Sequence, residues 1–204
     1  MNFALKYFFF VGLYFFGIWY LPWGVWSKGL PLSLIYLWDL SFALSPFLFS
    51  NRFSRKKIKL DGFRDLLEYG RMLVLGLLAF IIVKFTGWME YKMPFAFVSK
   101  LELKVLVLAP ILEELVFRKA FFWPLIKKNW DKRVILVLTS TLFSLSHLGA
   151  YFILPEAYKG FILLQVGYTF LLGIVIGHSF LRHQSILWCI LHHFIFNLVF
   201  YLSL

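Results

Sequence analysis

Acidic residues are scarce in this sequence: ten Asp and Glu stand against 21 Lys and Arg in 204 residues. Cysteine occurs once, as Cys189, which excludes an internal disulfide framework. Charged residues of both signs together make up 15% of the chain, too few to clothe a water-soluble domain. There is no low-complexity linker, and no repeat is visible. What fills the chain instead is apolar: 61% of residues are hydrophobic and 22% aromatic. Soluble domains are usually about 45–50% apolar. The surplus has to face lipid.

A helix that crosses a bilayer needs about 20 mostly apolar residues. Seven stretches qualify, near 4–24, 30–50, 68–88, 103–124, 133–154, 160–181 and 185–204. Pro22, Gly24 and Gly29 are expected to part the first from the second. The run from Phe3 to about Trp26 is too long for the apolar part of a signal peptide and lacks a small-residue cleavage site, so it reads as a retained span. The third stretch is the least clean, with Arg71 and Lys84 near its ends. The expected architecture is all-α: a single membrane domain, 1–204, whose seven or so spans enclose a polar cavity.

The net charge of +11 does not point to nucleic acid, because the basic residues sit in short segments between apolar runs. Arg52, Arg55, Lys56, Lys57 and Lys59 form one cluster; Lys127, Lys128, Lys132 and Arg133 form another. The connections after spans two, four and six hold eleven Lys and Arg, those after spans one, three and five hold four. That asymmetry predicts a cytoplasmic N-terminus and contact of the basic loops with anionic lipid. The stretch from Asn51 to Arg64 is expected to be a basic loop leading into a surface helix.

Ionisable groups within spans are costly and point to function. The fourth span carries Glu113, Glu114 and Arg118. Glu114 and Arg118 are four residues apart, share a helix face and can pair. Glu113 points about 100° away and has no basic neighbour at helical spacing. One acid is neutralised and the other is left for chemistry. The fifth span adds His147, and the seventh adds His193 and Asn197, again four apart on one face, with His192 turned aside. A lone histidine on an apolar helix is commonly a satisfied interior residue, so His147 gains weight only from its company.

Depth supplies that company. At about 1.5 Å rise per residue, Glu113 lies roughly 14 Å, His147 roughly 9 Å, His193 roughly 18 Å and Asn197 roughly 12 Å below the outer surface. Three helices of alternating direction thus bring these groups to one layer, in the outer half of the bilayer.

A carboxylate, two imidazoles and a carboxamide suit water activation. Ser144, Ser146 and Cys189 are present, but the constellation is not organised around them as nucleophiles. In this reading Glu113 is the general base, His147 orients the water, and His193 with Asn197 donates to the oxyanion. The same residues admit a metal: Glu113, His147 and His193 as Zn²⁺ ligands with water as the fourth. The metal-free version is preferred, because no His-Glu-x-x-His helix exists and each ligand would come from a different helix.

Glu113-Glu114-x-x-x-Arg118, Phe143-x-x-x-His147 and His193-x-x-x-Asn197, in that order on late helices, resemble the motif series of the CPBP family. That group comprises CAAX prenyl endopeptidases and bacteriocin-processing (ABI) membrane proteins. The resemblance covers about 105–204, and a motif-bearing core of about 103–204 follows from it. It implies an intramembrane protease in which Glu113 is the catalytic acid, His147 helps activate water, and His193 and Asn197 support the oxyanion. Glu114 and Arg118 support the site. A glutamate-type mechanism without cofactor is implied, with the zinc alternative left open.

The expected substrate is a membrane-embedded or membrane-delivered protein or peptide, such as a C-terminally anchored protein or a bacteriocin-type precursor. The expected location is a bacterial plasma membrane. Two other functions fit the composition: a non-catalytic immunity or scaffold protein, and a proton-coupled carrier. Carriers commonly show two related halves, and none are visible here. Asp39 is expected to pair with Arg71 or Lys84, or to line the cavity. Gly173 and Gly177 form a small-x-x-x-small pair suited to close helix packing.

Overall fold

The computed structural model describes residues 2–28, 33–49, 62–94 and 104–204. Among these there is no strand; the chain is a bundle of helices. We number the seven longer ones α1 (Phe3–Lys28), α2 (Ser33–Phe49), α3 (Gly62–Trp88), α4 (Lys104–Lys127, in four pieces), α5 (Lys132–Ser146), α6 (Lys159–His183) and α7 (Ile186–Leu202). They coincide in order and place with the seven apolar stretches.

Four helical runs are long and apolar enough to cross a membrane: Phe3–Pro22, Leu66–Trp88, Lys132–Ile153 and Glu156–His183. Leu34–Ser45 and Ile186–Leu202 are apolar but shorter. Large apolar side chains such as Leu73, Trp88 and Phe152 stand on the outside, where only lipid accommodates them in such number. The chain is an integral membrane protein.

Several boundaries differ from those read in the sequence. α1 runs through Pro22 and Gly24 to Lys28. A proline removes one backbone donor, and a helix in lipid tolerates this because any non-helical alternative exposes more unpaired backbone. α3 starts at Gly62, so Arg64 belongs to that helix. The rest of the basic loop, 50–61, lies outside the described residues. The fifth span is not continuous: α5 stops at Ser146, and a short helix, Gly149–Ile153, follows.

α5 starts where Asp131 caps it, its Oδ1 accepting from the backbone N–H of Arg133 at 2.8 Å and of Val134 at 3.1 Å. α5 and α6 pack most extensively. They approach closely because of the glycines. A Cβ on Gly173 would lie 3.0 Å from Cα of Ser140, and one on Gly177 would press on Leu136 and Phe122. Ser144 Oγ also donates across this seam to the carbonyl of Val166 at 2.5 Å. α7 packs against α3 on one side and against α4 and α6 on the others. α4 is therefore central, with α2, α5 and α7 around it.

Candidate active site

α4 is not a regular helix. Ala109–Glu114 is α-helical, but it lies between π-helical stretches at Lys104–Leu108 and Leu115–Phe122. At the end of the second, the N–H of Trp123 donates to the carbonyl of Arg118, five residues back. Such wide turns recur at functional sites. Here they flank the two acids.

Glu114 is fully buried and fully engaged. Arg118 Nε donates to its Oε2 at 2.8 Å, as the spacing led us to expect. The other oxygen, Oε1, lies 2.9 Å from Nδ1 of His193 on α7. Arg118 is itself wholly buried, its guanidinium 5.8 Å above the Phe143 ring, and Nη1 and Nη2 lack hydrogen-bond partners among the described residues. The pair and the histidine form one chain, Arg118–Glu114–His193. Sequence spacing revealed the first link but not the second.

Glu113 is placed differently. Its Oε2 is buried without a hydrogen-bond partner among the described residues, while 27% of the side chain stays accessible. Nε2 of His193 lies 3.8 Å from Oε2. That is beyond a direct hydrogen bond. A carboxylate cannot donate, so Nδ1 of His193 carries the proton toward Glu114, and Nε2 is left facing Glu113.

His147 stands where the fifth span breaks, and the break has a local cause. In a continuous helix the carbonyl of Phe143 would accept from the N–H of residue 147. Instead it receives Ser146 Oγ at 2.6 Å and His147 Nδ1 at 3.0 Å. The His147 N–H turns to Ser144 O at 3.1 Å. A carbonyl only accepts, so Nδ1 is the protonated nitrogen and Nε2 carries the lone pair. The Phe143 ring meets His147 edge-on at 5.2 Å and His193 at 5.7 Å between centroids, so one aromatic side chain wedges both imidazoles. Asn197 is partly buried on α7, one turn beyond His193. Glu113, Glu114 and Arg118 of α4 thus meet His193 of α7, and His147, just past the end of α5, shares the Phe143 ring with His193.

Asp39 pairs with neither Arg71 nor Lys84. Its Oδ1 accepts from Tyr14 at 3.1 Å. The reason is topological: α2 packs on α1 and α4 rather than on α3, which carries both cations. Asp39 is also close enough to Glu113 for the two carboxyls to interact electrostatically.

A second polar cluster was not read in the sequence. Glu68 of α3, fully buried, accepts from Arg71, from Ser179 Oγ at 2.8 Å and from His183 at 2.8 Å. His192, which the helical wheel turns away from His193, faces this cluster, Nε2 at 3.2 Å from Glu68 Oε2. The available signal was Glu68 with Arg71 at three-residue spacing, together with the polar run His178, Ser179 and His183 in an otherwise apolar span.

The zinc alternative required Glu113, His147 and His193 to converge. Among the described residues no group of three His, Cys, Asp or Glu is disposed to hold a metal ion. The Glu114 contact occupies Nδ1 of His193 and leaves Nε2 facing Glu113.

Residues 101–199 match the family described as type II CAAX prenyl endopeptidase Rce1-like. That segment is a domain of this family. The match spans the three motifs from Glu113 to Asn197 and begins close to the start of α4. Membership implies protease chemistry of the CAAX endopeptidase kind within a membrane. Neither a curated protein nor a solved structure matches the chain.

Proposed function

We propose that this Rce1-like protein hydrolyses a peptide bond of a membrane-borne protein or peptide with a water activated by Glu113, without a metal. One observation carries the reading. Of two adjacent acids, Glu114 has both oxygens engaged, while Glu113 keeps a buried oxygen with no hydrogen-bond partner among the described residues, 3.8 Å from an imidazole nitrogen. Two atoms at that separation cannot bond each other directly, yet both lie within reach of one water.

In this mechanism Glu113 takes a proton from the water, and the hydroxide attacks the carbonyl carbon of the scissile bond. Nε2 of His147, whose lone pair is left free by the bond to Phe143, accepts the water's second hydrogen and aims its oxygen. The oxyanion is met by Asn197 and by His193 in its doubly protonated form. The C–N bond then breaks, and Glu113 passes its proton to the leaving amine. Arg118 and Glu114 hold His193 in register.

The charge of the loops supports a cytoplasmic N-terminus in a bacterial plasma membrane, which puts the site in the outer half of the bilayer. Substrates are then C-terminally anchored proteins or bacteriocin-type precursors cut near the outer face. The test is cleavage by the purified chain in lipid nanodiscs. One probe is a quenched peptide ending in a farnesylated CAAX sequence; the other is a reporter with a C-terminal hydrophobic anchor. Cleavage of either, abolished by Glu113→Gln, is the expected result. An unaltered rate in that variant removes the mechanism, and no cleavage by the wild-type chain favours a scaffold.

A further inference from the structure

Glu68 and Arg71 lie outside the segment that matches the family, on a helix that supplies none of the candidate active-site residues named above. Yet Glu68 is among the most heavily engaged side chains described. Oε1 accepts from Arg71 and His183, and Oε2 from Ser179. These bonds join α3 to the end of α6, just before the turn into α7, where Gln184 adopts a left-handed conformation with φ 51°. Arg71 reaches on to Nδ1 of His178, 3.0 Å away.

His192 completes the arrangement. Its Nδ1 lies 2.5 Å from the carbonyl of Trp188 and must be protonated there. Nε2 is buried, aimed at Glu68 Oε2 from 3.2 Å, and not aligned for a hydrogen bond. His193, the next residue, points the other way, to Glu114 and Glu113. Consecutive residues of α7 therefore face two carboxylates on two different helices.

We propose that Glu68 is a positioning residue for the hydrolysis: by holding the end of α6 at the α6–α7 turn, with His192 packed against it, it sets the rotation of α7, and so the place of His193 beside Glu113. The inference rests on the function proposed above. Apolar packing alone would keep α3 on α7, and a buried charged cluster is a costly way to add stability. What directional bonds add is register. Rotating α7 by about 10° moves a group about 6 Å from its axis by about 1 Å. A displacement of that size costs on the order of 100-fold in rate.

The conservative variant separates positioning from mere folding. In Glu68→Gln, the amide oxygen still accepts from Arg71 and His183. The amide N–H groups donate to Nε2 of His192 and to Ser179, whose hydroxyl can turn to accept. Glu68→Ala removes every bond. The full chain in nanodiscs, with the farnesylated quenched peptide and the anchored reporter as probes, should show kcat about 10–100-fold lower in Glu68→Ala with KM nearly unchanged. Glu68→Gln should stay near wild type. His192→Ala should lower kcat as well, and adding Glu68→Ala to it should reduce it little further.

Nitrogen NMR of labelled histidine reads His193 with or without turnover. Its ring resonances should move in Glu68→Ala and return in Glu68→Gln. Wild-type kcat in Glu68→Ala overturns the inference, and so does a Glu68→Gln variant as impaired as Glu68→Ala. Unmoved His193 resonances in Glu68→Ala overturn it even if no probe is cleaved. Glu113→Gln, run beside these, tests the hydrolytic reading by itself: activity there discards that mechanism whatever Glu68 does.

Discussion

The imidazole of His193 is fixed by the carboxylate of Glu114 through a 2.9 Å contact between Nδ1 and Oε1. Because Arg118 occupies the other oxygen of Glu114, the acid cannot swing away without leaving two buried groups unpaired. Nε2 of His193 is therefore presented to Glu113 as a consequence of how Glu114 is held. In the proposed mechanism Glu114 orients the imidazole and Glu113 carries the chemistry.

That division predicts unequal losses. Glu113→Gln keeps the shape of the side chain and removes the base, so kcat should fall about 10²–10⁴-fold while folding is retained. Glu114→Ala strands Arg118 in the bundle and should lower stability by about 3–5 kcal/mol. Cleavage rates and thermal unfolding in detergent distinguish them. Equal losses of fold in both variants would contradict the assignment.

The break in the fifth span makes a second distinction. His147→Ala removes the lone pair proposed to aim the water and should cost about 10²-fold or more in kcat. Ser146→Ala removes one of two side-chain bonds to the Phe143 carbonyl, leaving the other in place. Its effect should be near the size of one hydrogen bond, about 1 kcal/mol in stability, with turnover largely kept. Kinetics and unfolding of the two purified variants decide the point.

Gly173 and Gly167 lie on the same helix and should respond oppositely. A methyl on Gly173 would press on the backbone of Ser140, whereas nothing lies within 4 Å of the corresponding position at Gly167. Gly173→Ala should destabilise the α5–α6 pair by about 1–3 kcal/mol. Gly167→Ala should be neutral or mildly stabilising, since alanine favours the helix by about 1 kcal/mol. Melting temperatures in one detergent provide the comparison.

Chelation is the fourth test. The proposed mechanism activates water with Glu113 alone, and no metal-holding triad forms among the described residues. Cleavage should therefore survive prolonged treatment with a strong zinc chelator. Loss of activity restored by added zinc would replace the glutamate mechanism with a metal-dependent one.

Much of this protein was legible in its residues because lipid imposes simple rules. Any stretch crossing the bilayer must satisfy its own backbone and present apolar side chains, so length and hydropathy located all seven helices. Spacing along one helix is equally readable: Glu114 and Arg118 pair as four-residue neighbours should. The break at His147 was less visible, since it depends on Ser146 and His147 competing for one carbonyl within a run that is apolar enough to continue.

Contacts between helices were beyond that reach. Asp39 was expected to pair with a cation on α3 or to line the cavity; no such cation reaches it and it bonds Tyr14 on α1, because hydropathy says nothing about which helices are neighbours. Glu68, His183 and His192 come from three helices and meet only once α3, α6 and α7 are assembled. The amino-acid order alone determined the helical membrane bundle, the family motifs and the Glu114–Arg118 pair, all of them local or periodic properties. The tertiary structure decided which acid is tied up, which imidazole nitrogen faces Glu113, and which side of α7 is anchored by Glu68. Those depend on helix rotation and packing, to which no one-dimensional pattern is sensitive.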